Sequence, residues 1–175
     1  MSRRSEIVAR LEAGERSFEG LDLVGADLSD LDLIAVRWNG ADLRRADLRG
    51  SRLIDACFLD ADLRRARLDG AALLRADFRR VDARGASFVD ADASRVDFHG
   101  ADLRLADFSG AELEGASIPL DCRGWGGVRY SARAIHGFAG LFATIRVAAP
   151  ADEARVRQAV DDLARHSAYL PDPPE

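Results

Sequence analysis

Residues 41–70 read ADLRRADLRGSRLIDACFLDADLRRARLDG, and in them a large apolar residue returns at every fifth position: Leu43, Leu48, Leu53, Phe58, Leu63 and Leu68. The same step begins at Phe18 and passes through Leu23, Leu28, Leu33 and Trp38. It continues beyond the quoted stretch through Leu73, Phe78, Ala83, Phe88, Ala93, Phe98, Leu103, Phe108 and Leu113 to Ile118. Two residues before each of these centres sits a small or apolar residue, mostly alanine, such as Ala26, Ala41, Ala46 and Ala116; between the two lies a polar residue, most often Asp. Neither regular element tolerates a period of five. On a helix it turns the centre by about 140° per unit and smears it around the axis. In a flat strand, residues five apart point to opposite faces, which sends half the leucines into water. The face is reset if each unit is a short extended segment, both apolar residues inward and the polar one outward, followed by a corner; glycines at Gly20, Gly25, Gly40 and Gly50 fall on those corners. Such a chain winds as a coil.

A second period gives the number of sides. Phe18, Trp38, Phe58, Phe78 and Phe98 recur every twenty residues, so the predicted turn has four sides of five and these rings form one column of the core. Residues 16–118 then make about five coils, a rod of about 25 Å at the usual strand spacing of ~4.8 Å. The units ADLRRADLRG (41–50), ADLRRARLDG (61–70) and ADLRLADFSG (101–110) resemble the A(D/N)LXX pattern of pentapeptide-repeat proteins. That resemblance spans residues 16–118 and implies an all-β solenoid, a right-handed quadrilateral β-helix; the handedness comes from the resemblance alone.

An open coil needs covers at its two ends. In residues 1–15, Ser5 followed by Glu6, Ile7, Val8 and Leu11, with a stop at Gly14, predicts a short capping helix with Ser5 as its N-cap. The repeat ends at Pro119, and residues 119–130 form a Gly-rich connection, DCRGWGGVRY over 121–130, in which Trp125 is expected to plug the last coil. Residues 131–170 change to helical spacing and predict a C-terminal α-helical module. Its first helix carries Ile135, Phe138, Leu141, Phe142 and Ile145, and its second carries Val156, Val160 and Leu163; residues 171–175 are a tail. Helical C-terminal modules mediate homodimerisation in the mycobacterial fluoroquinolone-resistance member of the family this chain resembles. The resemblance therefore implies a homodimer, with those five residues of the first helix as its interface.

Composition narrows the function classes. The chain has 175 residues, 47% of them hydrophobic, with 30 acidic side chains against 25 basic ones, all arginine, for a net charge of −5. No run nears the ~18 apolar residues of a membrane span. Arg3 and Arg4 are followed by no apolar stretch of a signal peptide, so a cytoplasmic protein without a membrane association is expected. Two cysteines, Cys57 and Cys122, make neither a disulfide framework nor a metal set. His99 follows a centre and points outward, while His136 and His166 fall in the helical module with no nucleophile beside them. No phosphate loop, zinc spacing or dinucleotide fingerprint is present. A filled rod offers no concave dry site, so no catalytic residue, metal or cofactor is expected and the chain is read as a non-enzyme.

The information lies in the surface columns. On the second side of the coil, Asp42, Asp62, Asp82 and Asp102 precede the centres and Arg44, Arg64, Arg84 and Arg104 follow them, with Asp22 and Val24 in the first coil. Opposite charges in adjacent columns offset the repulsion within each, leaving either a solvated ladder or a polar stripe for a charged partner. On the fourth side Ile34, Ile54 and Leu74 follow the centres, a candidate apolar contact for a partner. Two functions follow. One is a protein-protein interaction or scaffold module. The other, implied by the resemblance, is a DNA-mimicking rod that binds DNA gyrase and protects it from quinolones or natural gyrase poisons. Mimicry needs an anionic surface, and residues 16–118 carry 20 acids against 15 arginines. The Asp column and the net negative charge oppose direct nucleic-acid binding.

Overall fold

In the computed structural model, which describes residues 2–117 and the backbone of 129–130, the chain turns a corner every five residues and lies over itself every twenty. The middle residue of each unit, polar in nearly all, pairs in parallel with its counterpart one coil on, from Ser17 with Arg37 to Asp97 with Ser117. The centres donate in the same direction, as Phe18 N–H does to the Arg37 carbonyl at 2.8 Å, and the polar residues donate back, as Arg37 N–H does to the Arg16 carbonyl at 2.8 Å. Corners close with a bond across four residues, such as Ala46 N–H to the Leu43 carbonyl at 3.0 Å. With about three extended residues per side, pairing takes the form of single rungs, not long strands. The exception is β1 (Asp107–Phe108), which pairs in parallel with β2 (Arg129–Tyr130). There Asp107 meets Arg129, two residues beyond the twenty-residue step.

The corner residue lies in the left-handed region of backbone space throughout. Glycine fills nine of these corners, but eleven other residues, Ala35, Arg45 and Leu105 among them, hold φ between 55 and 62°. A β-carbon in that conformation costs about 1–2 kcal/mol. The stacked ladder holds the corners from Asp30 to Arg95 there regardless, because their N–H groups are part of the inter-coil bonding, as Arg45 N–H is to the Arg64 carbonyl at 3.0 Å.

Both inward positions of the units are buried from Phe18 to Ala116, apart from Leu21 and Leu31, which are partly covered. Ser51, the polar residue in this inward set, donates its hydroxyl to the Leu48 carbonyl at 2.5 Å. In the aromatic column Phe18 and Trp38 stack with centroids 5.0 Å apart, Trp38 and Phe58 follow at 6.4 Å, and Phe58 and Phe78 at 4.6 Å. A second stack, Phe88 on Phe108 at 4.6 Å, rises on the opposite side and meets Phe98 edge-on at 6.0 and 5.7 Å. Where Phe78 and Phe88 face each other across one coil, at 5.9 Å, the other two centres of that coil are Ala83 and Ala93. The small side chains leave room for the two rings.

Helix α1 (Arg3–Glu12) covers the first coil with Ile7 buried and Leu11 packed against the core. Its N-cap is Ser2, not Ser5 as the sequence suggests: Ser2 Oγ accepts the Ser5 N–H at 3.1 Å, which places Ser5 inside the first turn. At the other end Gly14, with φ of 85°, donates to the Leu11 carbonyl, and Glu15 donates to the Arg10 carbonyl, both at 2.9 Å. This is a Schellman stop, and only a residue free to adopt positive φ closes it cheaply. Arg10 spreads its guanidinium 4.6 Å over the Phe18 ring and bonds Glu15 at 2.7 Å, while Arg3 and Arg4 reach Asp22 at 3.3 Å and Asp27 at 3.0 Å. Ile118, Trp125, the module of 131–170 with Ile135, Phe138, Leu141, Phe142 and Ile145, and the tail lie outside the described residues.

Candidate functional site

The recurring aspartates are parts of the backbone machinery before they are surface charges. Asp42 Oδ1 accepts the Arg44 N–H at 3.2 Å, and the same turn-closing contact recurs at Asp62, Asp82 and Asp102. A side-chain acceptor two residues back holds the start of the corner and fixes the carboxylate. Each fixed carboxylate then receives the arginine fork beside it. The Arg44 Nε–H donates to Asp42 at 2.8 Å and Nη2 at 2.6 Å; Arg64, Arg84 and Arg104 repeat the arrangement within about 0.1 Å. Rungs are joined as well, Arg44 to Asp62 at 3.7 Å, Arg64 to Asp82 at 3.6 Å and Arg84 to Asp102 at 3.7 Å. The eight residues that the sequence marks as a candidate stripe therefore form one continuous ladder. The hydrogen bonds from Arg44 and Arg104 hold the Asp42 and Asp102 carboxyls below the usual range, and the same contacts raise the arginines above theirs. Ion pairs this open to water contribute little each; their effect is to fix the side chains in place.

One column over, at the corner, stand Arg45 and Arg65. Neither takes part in an ion pair among the described residues, so their charges are uncompensated where those of Arg44, Arg64 and Arg84 are shared. The two arginine columns and Gly85 line a groove of about 550 Å³ that runs along the rod, with Val24 and Leu105 at its two ends. Val24, 40% exposed, and Leu105, 69% exposed, are the large apolar side chains most open to solvent among the described residues. Inspection of the positions next to the centres finds Arg44, Arg64 and Arg84 but misses Arg45, Arg65 and Leu105. The available signal is the doubled arginine of ADLRR at 44–45 and 64–65.

On the fourth side Ile34, Ile54 and Leu74 are half-buried. Cys57 is also half-buried, its thiol directed at Asp77 at 3.5 Å, and burial pushes that thiol up, away from a nucleophile's range. Among the described residues no three His, Cys, Asp or Glu side chains are grouped to hold a metal ion, and no helix is long and apolar enough to cross a membrane. The geometry is that of a rigid, charged, finely ruled surface.

Comparison with known proteins yields a family. The family model for pentapeptide repeats matches residues 26–65, 61–100 and 84–118, in 8 copies. Among solved structures, the chain is similar to HetL, a pentapeptide repeat protein involved in heterocyst differentiation regulation from the cyanobacterium Nostoc sp. strain PCC 7120. The identity is 31% with a TM-score of 0.66, over 70% of this chain and 51% of HetL. This chain therefore spans about half the length of that relative. Rfr23, a pentapeptide repeat protein from the cyanobacterium Cyanothece 51142, is similar at 21% identity and a TM-score of 0.62, over 74% of this chain and 96% of Rfr23. QnrB1, a plasmid-mediated fluoroquinolone resistance protein, is 19% identical with a TM-score of 0.41, over 76% of this chain and 90% of that one. No curated protein sequence matches.

Proposed function

Because this chain belongs to the pentapeptide-repeat family, whose members form right-handed β-helices, we propose that it is a non-enzymatic protein-protein interaction module. The rod works by holding columns of side chains at fixed spacing for a partner protein to read. The observation that supports this most is the second side, where forks of 2.5 to 2.7 Å pin Arg44, Arg64 and Arg84 on the wall of an open groove. Side chains ordered before a partner arrives cost little further entropy when it binds. A regulatory role by contact agrees with HetL, which is involved in regulating heterocyst differentiation. The module of residues 131–170, in this reading, joins two copies through Ile135, Phe138, Leu141, Phe142 and Ile145.

The gyrase reading rests on the family resemblance and the net negative charge, and the arginine groove works against it, since a DNA mimic must repel what DNA repels. A titration of DNA gyrase supercoiling, with and without a quinolone, separates the two. The interaction module leaves supercoiling and quinolone sensitivity unchanged; inhibition or protection at micromolar protein overturns it in favour of mimicry. Light scattering on the same samples gives the mass of the full chain and of a version lacking residues 131–175. Halving of the mass on truncation supports the dimer, and an unchanged state removes it.

A further inference from the structure

The spacing of the groove specifies its occupant. Successive rungs of a β-coil are ~4.8 Å apart, so the Arg44–Arg45, Arg64–Arg65 and Arg84 rungs, with Arg104 beyond, lie at about 0, 4.8, 9.6 and 14.4 Å along the rod. An extended peptide laid along them presents one face every ~6.8 Å and slips out of step within two rungs. A duplex offers one strand's phosphates every 3.4 Å along its axis, which does not match either. An α-helix rises ~1.5 Å per residue, so positions i, i+3, i+7 and i+10 lie on one face at about 0, 4.5, 10.5 and 15 Å. That series follows the rungs.

Charge and apolar contact agree with the spacing. Arg45 and Arg65 carry the uncompensated positive charge in the middle of the groove, and exposed Val24 and Leu105 close its ends. Those ends are four rungs apart, about 19 Å, or some 13 residues of helix. We propose that the groove on the second side binds an α-helix of a partner protein, carrying acidic residues at i, i+3 and i+7 against the Arg44–Arg45, Arg64–Arg65 and Arg84 rungs, with an apolar residue at i−4 toward Val24 and another at i+10 toward Leu105. This deepens the interaction-module reading and rests on it.

The test is fluorescence anisotropy of the full chain with three labelled probes. One is a synthetic helical peptide with Glu at i, i+3 and i+7 and Leu at i−4 and i+10. The second has the same composition with its Glu residues distributed around the helix. The third is a single-stranded oligonucleotide. Arg45→Glu/Arg65→Glu is compared with Arg95→Glu, a corner residue of the fourth side with the same left-handed backbone (φ 57° against 58 and 60°). The patterned peptide is expected to bind, to weaken about tenfold or more in Arg45→Glu/Arg65→Glu, and to be unaffected by Arg95→Glu. Thermal melts of both variants verify that the rod is intact, since neither Arg45 nor Arg65 holds an ion pair among the described residues. The proposal is overturned if the redistributed peptide or the oligonucleotide binds as tightly, if the patterned peptide does not bind, or if the double variant binds like the parent. Failure here with gyrase supercoiling unaffected removes the helix and leaves the interaction module; protection of gyrase removes the module itself.

Discussion

Phe78→Asp is expected to abolish the folded rod, with loss of its β circular-dichroism spectrum and of a cooperative thermal transition. Phe78 is fully buried in the middle of the aromatic column, with the rings of Phe58, Phe88 and Phe98 at 4.6, 5.9 and 5.4 Å. Among the described residues no cationic side chain shares that interior. The substitution leaves a cavity among three rings and strands a carboxylate without a partner, each effect worth several kcal/mol. Their sum matches the whole stability of a typical domain, about 5–15 kcal/mol. Phe78→Leu serves as the control, because leucine already occupies most centres and the swap costs about 1 kcal/mol. An unchanged spectrum and melt for the aspartate variant contradict the assignment of this residue to the interior.

Phe88→Ala is expected to cost about 3–5 kcal/mol, and to cost it locally. Its ring stacks on Phe108 at 4.6 Å and meets Phe78 and Phe98 edge-on at 5.9 and 6.0 Å, so truncation empties the place where both aromatic stacks meet. Ala83 and Ala93 in the same coil are too small to fill it. Coils contact only their neighbours, and stability along a solenoid is close to a sum of coil and interface terms. Hydrogen exchange by mass spectrometry should therefore accelerate from about residue 76 onward while residues 18–60 keep their protection. Uniform acceleration along the chain runs against a one-dimensional stack.

Much of this architecture is legible in the residues because geometry imposes it as a period. Five residues per side and twenty per coil follow from Leu43, Leu48 and their successors and from the Phe18 column, and the pairing of Asp42 with Asp62 obeys the same count. Handedness is not in that pattern, since a mirror-image coil has the same periods. The start of α1 reads three residues late from the sequence, because Ser5 stands directly before Glu6 and Ile7; the Ser2 hydroxyl, accepting the Ser5 N–H, is what sets it. Ala83 and Ala93 look like weak centres when each column is read alone. Their reason lies across the coil, in Phe78 and Phe88, and no single column contains it.

The candidate site divides in the same way. Asp42 through Arg104 are visible as columns, and the ladder they form is the one their charges predict. Arg45 and Arg65 are hidden by their position: corners read as places for glycine, and a side chain held there at positive φ leaves the line of its neighbours and forms the far side of the groove. The sequence likewise marks Ile34, Ile54 and Leu74 as apolar while leaving open how far stacking covers them.

Whether residues twenty apart lie on one another is tested most directly by disulfide capture. With Cys57 and Cys122 changed to serine, Arg45→Cys/Arg65→Cys places thiols on adjacent rungs of one column, whose ~4.8 Å spacing lies within the reach of a disulfide. Arg45→Cys/Asp60→Cys, fifteen residues apart, places them on different sides of the coil. Mild oxidation should close the first pair within the monomer and leave the second open. Closure of the fifteen-residue pair with the twenty-residue pair remaining reduced contradicts the four-sided coil, and with it every column and groove built upon it.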